Sequence, residues 1–102
     1  MADGDRNMSA FSARGEVEGT GSAITVRLGF RPTAVFVYNV DGDARLDWVD
    51  TMDADSGFKT VAAGTTAQIT SDGITAGSHG FIIGADSDIN VSAETINYVA
   101  FR

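Results

Sequence analysis

Hydrophobic and polar residues alternate along most of this chain with a period of two. From Phe11 to Glu18, the residues Phe11, Ala13, Gly15 and Val17 fall on one side and Ser12, Arg14, Glu16 and Glu18 on the other, which predicts a strand with one face buried. After the turn Gly19-Thr-Gly-Ser22, a second strand over Ala23–Phe30 sets Ile24, Val26 and Leu28 against Thr25 and Arg27. It stops at Gly29, just before Arg31 and the only proline, Pro32. Pro32 has no N–H to give to a ladder and marks a break between strands.

The next run, Thr33–Val40, is almost continuously β-branched or aromatic, so a strand covered on both faces is expected there, as at the centre of a sandwich or at a subunit contact. Asp41-Gly42 then supplies a hairpin turn, because the pair tolerates the positive φ angles of tight hairpins. The returning strand, Arg45–Asp50, puts Leu46, Trp48 and Asp50 on one face and Arg45, Asp47 and Val49 on the other. Residues 50–57 are acidic and turn-rich. Short strands are expected at Phe58–Val61 and Thr66–Thr70, with turns at Ser71–Gly73 and Thr75–Gly80. The chain closes on two apolar runs, Phe81–Ile83 and Ile96–Phe101, either side of the polar stretch 84–94.

The total is seven or eight short strands at a spacing of about ten residues, and no stretch carries the i, i+3, i+4 pattern of an amphipathic helix. The fold class expected is all-β: an antiparallel β-sandwich or jelly roll. Residues 11–102 form its one domain, and residues 1–10, polar and without period, form an arm that is either a flexible lead-in or ordered against a partner through Met8 and Phe11.

Composition narrows the function classes. With 43% hydrophobic residues in 102, there is enough apolar material for one core. The chain has no cysteine, which leaves neither a disulfide framework nor a thiolate metal site. A net charge of −7 disfavours a nucleic-acid partner, since phosphate backbones are held by clustered Lys and Arg. No run approaches the roughly 20 apolar residues that cross a bilayer, and the N-terminus lacks the pattern of a signal peptide; neither a membrane nor a secretory route is expected.

Four features bear on chemistry. The single histidine, His79, follows Ser78, but adjacent residues of an extended chain point apart and Gly77-Ser-His-Gly80 is not a nucleophile elbow. Three alternating carboxylate clusters, Asp41/Asp43, Asp53/Asp55 and Asp86/Asp88/Asn90, lack the glycine and distal glutamate of a calcium loop and read as turns capped by their own side chains. No phosphate-binding loop occurs. Trp48, Tyr38 and Tyr98 could stack on sugars, although aromatic residues on an apolar strand face more often belong to the core. The expectation is a protein without enzymatic activity, cofactor or metal.

Three stretches carry a likeness to a known family. The ending Gly80-Phe81, Gly84, Asp86, Asn90, Ser92, Thr95, Tyr98, Ala100-Phe101 resembles the G-F-x-x-G-x-D…N-x-S…T-x-x-Y-x-A-F close of small all-β virion proteins of tailed bacteriophages. Leu28–Asn39 is similar to the G-F-x-P entry to a strand in the same proteins, and Trp48–Thr65 adds a third piece. The resemblance implies a virion structural protein, and the short chain without a fibrous stem points to a capsid decoration or cement protein on the outer shell. Its partners would be the major capsid protein and further copies of itself, a trimer suiting threefold positions. The alternative is a tail-tip or tail-fibre module that binds host glycans. The residues expected to meet a protein partner are Met8, Phe11, Phe36, Tyr38 and Trp48.

Overall fold

The strands follow the alternation closely. The computed structural model describes residues 7–8 and 12–102, the first two by their backbone alone. In chain order the strands are β1 (Asn7–Met8), β2 (Ser12–Glu18), β3 (Ile24–Arg27), β4 (Ala34–Asn39), β5 (Ala44–Val49), β6 (Ser56–Thr60), β7 (Thr66–Gly77), β8 (Gly80–Ile83) and β9 (Thr95–Phe101). All pair antiparallel in one sheet, ordered β1-β2-β9-β4-β5-β6-β7-β8-β3. The fold is therefore all-β, and the two layers expected of a sandwich are two halves of one continuous sheet. That sheet curls until the Phe81 ring on β8 meets the Tyr98 ring on β9 edge to face, 5.5 Å between centroids.

Register sets the inner face. One row runs Ala13, Ala100, Val35, Trp48; the next Gly15, Tyr98, Val37, Leu46, Lys59; the third Val17, Ile96, Asn39, Ala44. Ile74, Ile83 and Ile24 form a facing row, with Ala76, Phe81 and Val26 beside it. Leu46, Ile74, Ile83 and Ile96 are fully buried, each worth about 1.5–3 kcal/mol of removed apolar surface. Gly15 is a glycine for a visible reason: the Tyr98 ring lies where a Cβ would go, its Oη 2.6 Å from that position.

Three expectations are corrected in detail. β4 is central, between β9 and β5, but only its inner residues Val35, Val37 and Asn39 are buried; Ala34, Phe36 and Tyr38 are half-buried. The turn between β4 and β5 stands where Asp41-Gly42 places it, yet the positive φ belongs to Asp43 (55°), not Gly42, and the turn is held by Asn39 Oδ1, which accepts from the N–H of Asp41 (3.0 Å) and Gly42 (2.8 Å). Ser71–Gly73 and Thr75–Gly77, read as turns, lie within β7, whose residues Ile74–Gly77 pair with β8, so only Ser78 and His79 turn the chain. Of the arm at residues 1–10, only Asn7 and Met8 lie within the described residues, where they pair with Arg14 and Ala13 of β2.

Three connections cross from one half of the sheet to the other: residues 19–23 and 84–94 at one end and residues 28–33 at the other. The 28–33 link closes one end with Leu28, Phe30 and Pro32 buried. The 84–94 loop closes the other, seating Ile89 wholly inside.

Candidate functional site

Two of the four buried polar residues among those described, Asp86 and Asn90, lie in the 84–94 loop, and each has a mechanical task. Asp86, 7% exposed, turns its Oδ2 back to the N–H of Asp88 (3.0 Å) and Ile89 (3.1 Å), the self-capped turn expected of Asp at such a position. Its Oδ1 accepts from Lys59 Nζ at 2.9 Å, and the same ammonium reaches Asp88 Oδ2 at 2.7 Å. Lys59 stands on the inner face next to Leu46, at the sheet end the loop covers. Asn90, 2% exposed, donates to the carbonyls of Ser22 (2.6 Å) and Gly84 (3.0 Å) and accepts from the N–H of Thr20 (2.9 Å) and Gly21 (3.2 Å). Asn39 donates into the loop from below, with the Asp88 and Ile89 carbonyls at 3.1 Å and Glu94 Oε1 at 2.8 Å. Asp41 Oδ2 accepts from the Thr95 N–H at 2.7 Å.

The carboxylates of Asp41, Asp47, Asp86, Asp88 and Glu94 are engaged in internal bonds. Asp86 and Asp88 share one ammonium, the Asp53 carbonyl accepts from Trp48 Nε1 (3.1 Å) and Ser56 Oγ (2.6 Å), and no buried side-chain polar atom among the described residues lacks a partner. Among the described residues no three metal-ligating side chains come together.

Burial lowers the Lys59 pKa, but the hydrogen bonds to Asp88 and Asp86 and their charges outweigh it, so the group sits above lysine's ordinary 10.5. A raised lysine pKa contributes stability that is complete below the unfolded value and is lost as pH rises through the folded one. Stability is thus expected to hold on this account through neutral pH and to fall in the alkaline range above about 10.5. Lys59→Met should remove that alkaline dependence. It should also cost about 2 kcal/mol at neutral pH, because Asp86 would stay buried with only backbone donors. Urea titrations of both proteins at neutral and alkaline pH check this; equal midpoints at neutral pH would refute it.

His79 and Ser78 are exposed at the β7–β8 turn, and the hydrogen bonds there use the His79 carbonyl, which accepts from the N–H of Leu28 (2.8 Å) and Gly29 (2.9 Å). Among the described residues the imidazole has no hydrogen-bond partner. The hollow beside it, lined by Thr25, Arg27, Thr75 and Ile82, measures about 170 Å³, well below the roughly 300–1,000 Å³ of small-molecule sites.

The residues expected to meet a partner divide into three groups. Trp48 is 3% exposed, a core residue whose indole N–H is spoken for; its ring faces inward because it shares the register row of Val35 and Ala100. Phe36 and Tyr38 lie on the outer face of β4, half-buried. The side chains of Met8 and Phe11 lie outside the described residues. Sequence reasoning missed the companions of Phe36: Phe101, its ring edge-on at 5.9 Å, together with Val99, Ala34, Val49 and Phe58. Phe58, Phe101 and Val49 are 51%, 40% and 39% exposed. Phe58 on β6 lies beyond Asp47, and Val99, Phe101, Ala34, Phe36 and Val49 form one apolar field across β9, β4 and β5. Beside it, Arg14, Glu16, Tyr38, Asn97 and Val99 line an open dish of about 530 Å³. The signal was present in the outward positions of three strands, but only their register brings those positions together.

No family model matches the sequence, and no curated protein or solved structure is similar to it.

Proposed function

We propose that this chain is a structural protein of a tailed-phage virion that decorates the capsid shell, binding the major capsid protein and bridging its subunits, and that it works through surfaces without catalysing a reaction. The observation that carries the reading is the apolar outer face of β9, β4 and β5. A contiguous field of phenylalanine and valine with charged margins is the composition of a protein-docking surface. The sequence resemblance in Gly80–Phe101 supplies the virion context. A decoration protein stabilises a shell by binding the assembled form in preference to free subunits, and repeated copies add strength by multivalency. The glycan-binding alternative loses its strongest aromatic, since Trp48 is buried.

Purified protein is expected to bind assembled phage heads and not tails. Heads that lack it should release their contents at lower temperature or under milder osmotic shock. Density on the tail, or heads equally robust without it, would overturn the proposal.

A further inference from the structure

The outer face carries a charge pattern that specifies its occupant. In the register across β2, β9, β4 and β5, one row reads Arg14, Val99, Phe36, Asp47 and the next reads Glu16, Asn97, Tyr38, Arg45. Across these four strands each row has an uncharged centre flanked by opposite charges on β2 and β5, and the sign reverses from one row to the next; on β6 the rows continue to Phe58 and Thr60. The row on the other side is Ser12, Phe101, Ala34, Val49, without charge.

A twofold axis along the strands, lying in the contact plane between β9 and β4, exchanges the two ends of every row. Two copies packed face to face about it set Arg14 against Asp47 of the second copy and Glu16 against Arg45 of the second copy, each contact occurring twice. The same operation lays Val99 on Phe36 and Phe101 on Ala34, and brings Tyr38 of the second copy to Asn97, into the dish of about 530 Å³. A face that is self-complementary under a twofold is what an isologous dimer requires. Arg14 and Glu16 enter no ion pair within the chain among the described residues, and Arg45, bound to Asp47 at 3.0 Å, already lies over the Tyr38 ring at 5.1 Å. The four charged groups sum to zero, within a chain of net charge −7. The self-repulsion that would hold two copies apart therefore has its source elsewhere, in the acidic turns.

We infer that this face binds a second copy of the chain, forming a twofold, face-to-face sheet dimer with Phe36, Val99 and Phe101 at its centre and the Arg14–Asp47 and Glu16–Arg45 pairs across its margins. The inference rests on reading this face as a protein-docking surface and not on the virion assignment. It replaces a threefold arrangement with a twofold one and assigns the docking face that supports the decoration reading to a second copy in place of the capsid protein.

The test is the mass of the free protein by sedimentation equilibrium from micromolar to millimolar concentration. Dimer is expected for the wild type, and Phe36→Asp should weaken it at least a hundredfold. Arg14→Asp and Asp47→Arg each place like charges across the contact and should both be monomeric. Mixed one to one, these two variants restore opposite charges in every pair and should form a heterodimer. A wild type that stays monomeric or forms trimers overturns the inference, as does a dimer indifferent to Phe36→Asp, or a mixture of the two charge variants that remains monomeric. Thermal unfolding of each variant shows that it is folded, and the wild-type mass decides the matter even if one of them is not. A monomer that still binds phage heads would remove the dimer and keep the decoration role; a dimer that ignores heads would do the reverse.

Discussion

Asn90→Ala is expected to lower stability by about 3 kcal/mol, seen as a drop of roughly 15 °C in the unfolding temperature of a domain this size. The side chain it removes is small, but four backbone groups lose their partner: the N–H of Thr20 and Gly21 and the carbonyls of Ser22 and Gly84. Those on the 20–22 turn regain some water. Gly84 is buried, its carbonyl hydrogen bond is buried too, and it has no such recourse. Asn90→Asp separates this account from simple loss of volume. A carboxylate can still accept from Thr20 and Gly21, but it faces the two carbonyls with no proton to offer. The Asp variant should therefore be at least as unstable as the Ala variant at neutral pH and regain part of the loss as the solution is made acid enough to protonate it. An Asp variant as stable as wild type at neutral pH would show that the carbonyl bonds contribute nothing.

The second large effect is expected from a single methyl group. At Gly73, a Cβ would fall on the backbone of Ser56, 2.8 Å from its Cα and closer still to its carbonyl. Neither chain can move aside: Gly73 donates to the Asp55 carbonyl at 3.1 Å and accepts from the Gly84 N–H at 2.9 Å. The β6–β7 register also shifts between Ser56 and Gly57 at this point, pairing Gly57 with Ile69 but Ser56 with Ile74, so the intervening residues of β7 bulge and the two backbones touch. Gly73→Ala should cost about 3 kcal/mol, as overpacking against backbone does. Gly77→Ala, four residues along the same strand, meets nothing nearer than the Gly80 carbonyl oxygen at 3.8 Å and should change stability by less than about 0.5 kcal/mol. Chemical denaturation of both variants checks the pair, and equal effects at the two glycines would refute the close-approach argument.

Strands with strict alternation could be read from sequence together with their faces, because a period of two assigns each residue to a side without knowledge of its neighbours. That is why Ala13, Val17, Ile24, Val26, Leu46 and Trp48 lie inward as expected. Thr75–Gly77 escaped, since Thr75, Ala76 and Gly77 are turn-like in composition, and only their register with Phe81 and the rest of β8 makes them a strand. Asn39 was visible as a polar residue in an inward register after Val35 and Val37, a local conflict that marks a residue with a special task; its partners 49 to 55 residues away were not. Lys59 was hidden in the same way, because nothing near it in sequence announces Asp86. The outer apolar field depends on register across β9, β4 and β5, and register is a tertiary fact.

The place of β9 has a consequence for how the molecule comes to exist. It lies between β2 and β4, pairing with residues about eighty and about sixty positions earlier. Until residues 95–101 have been synthesised, β2 and β4 face each other across a missing strand, both with open edges, and the Phe36 side of the sheet has no Phe101 to lean on. The sheet closes only once β9 is available to pair with both. The chain must hold its order until late, when pairings of long sequence separation form slowly, in milliseconds to seconds. During that interval the unfilled gap between β2 and β4 is the place where another nascent chain can insert a strand, and aggregation in overexpressing cells should be governed by it.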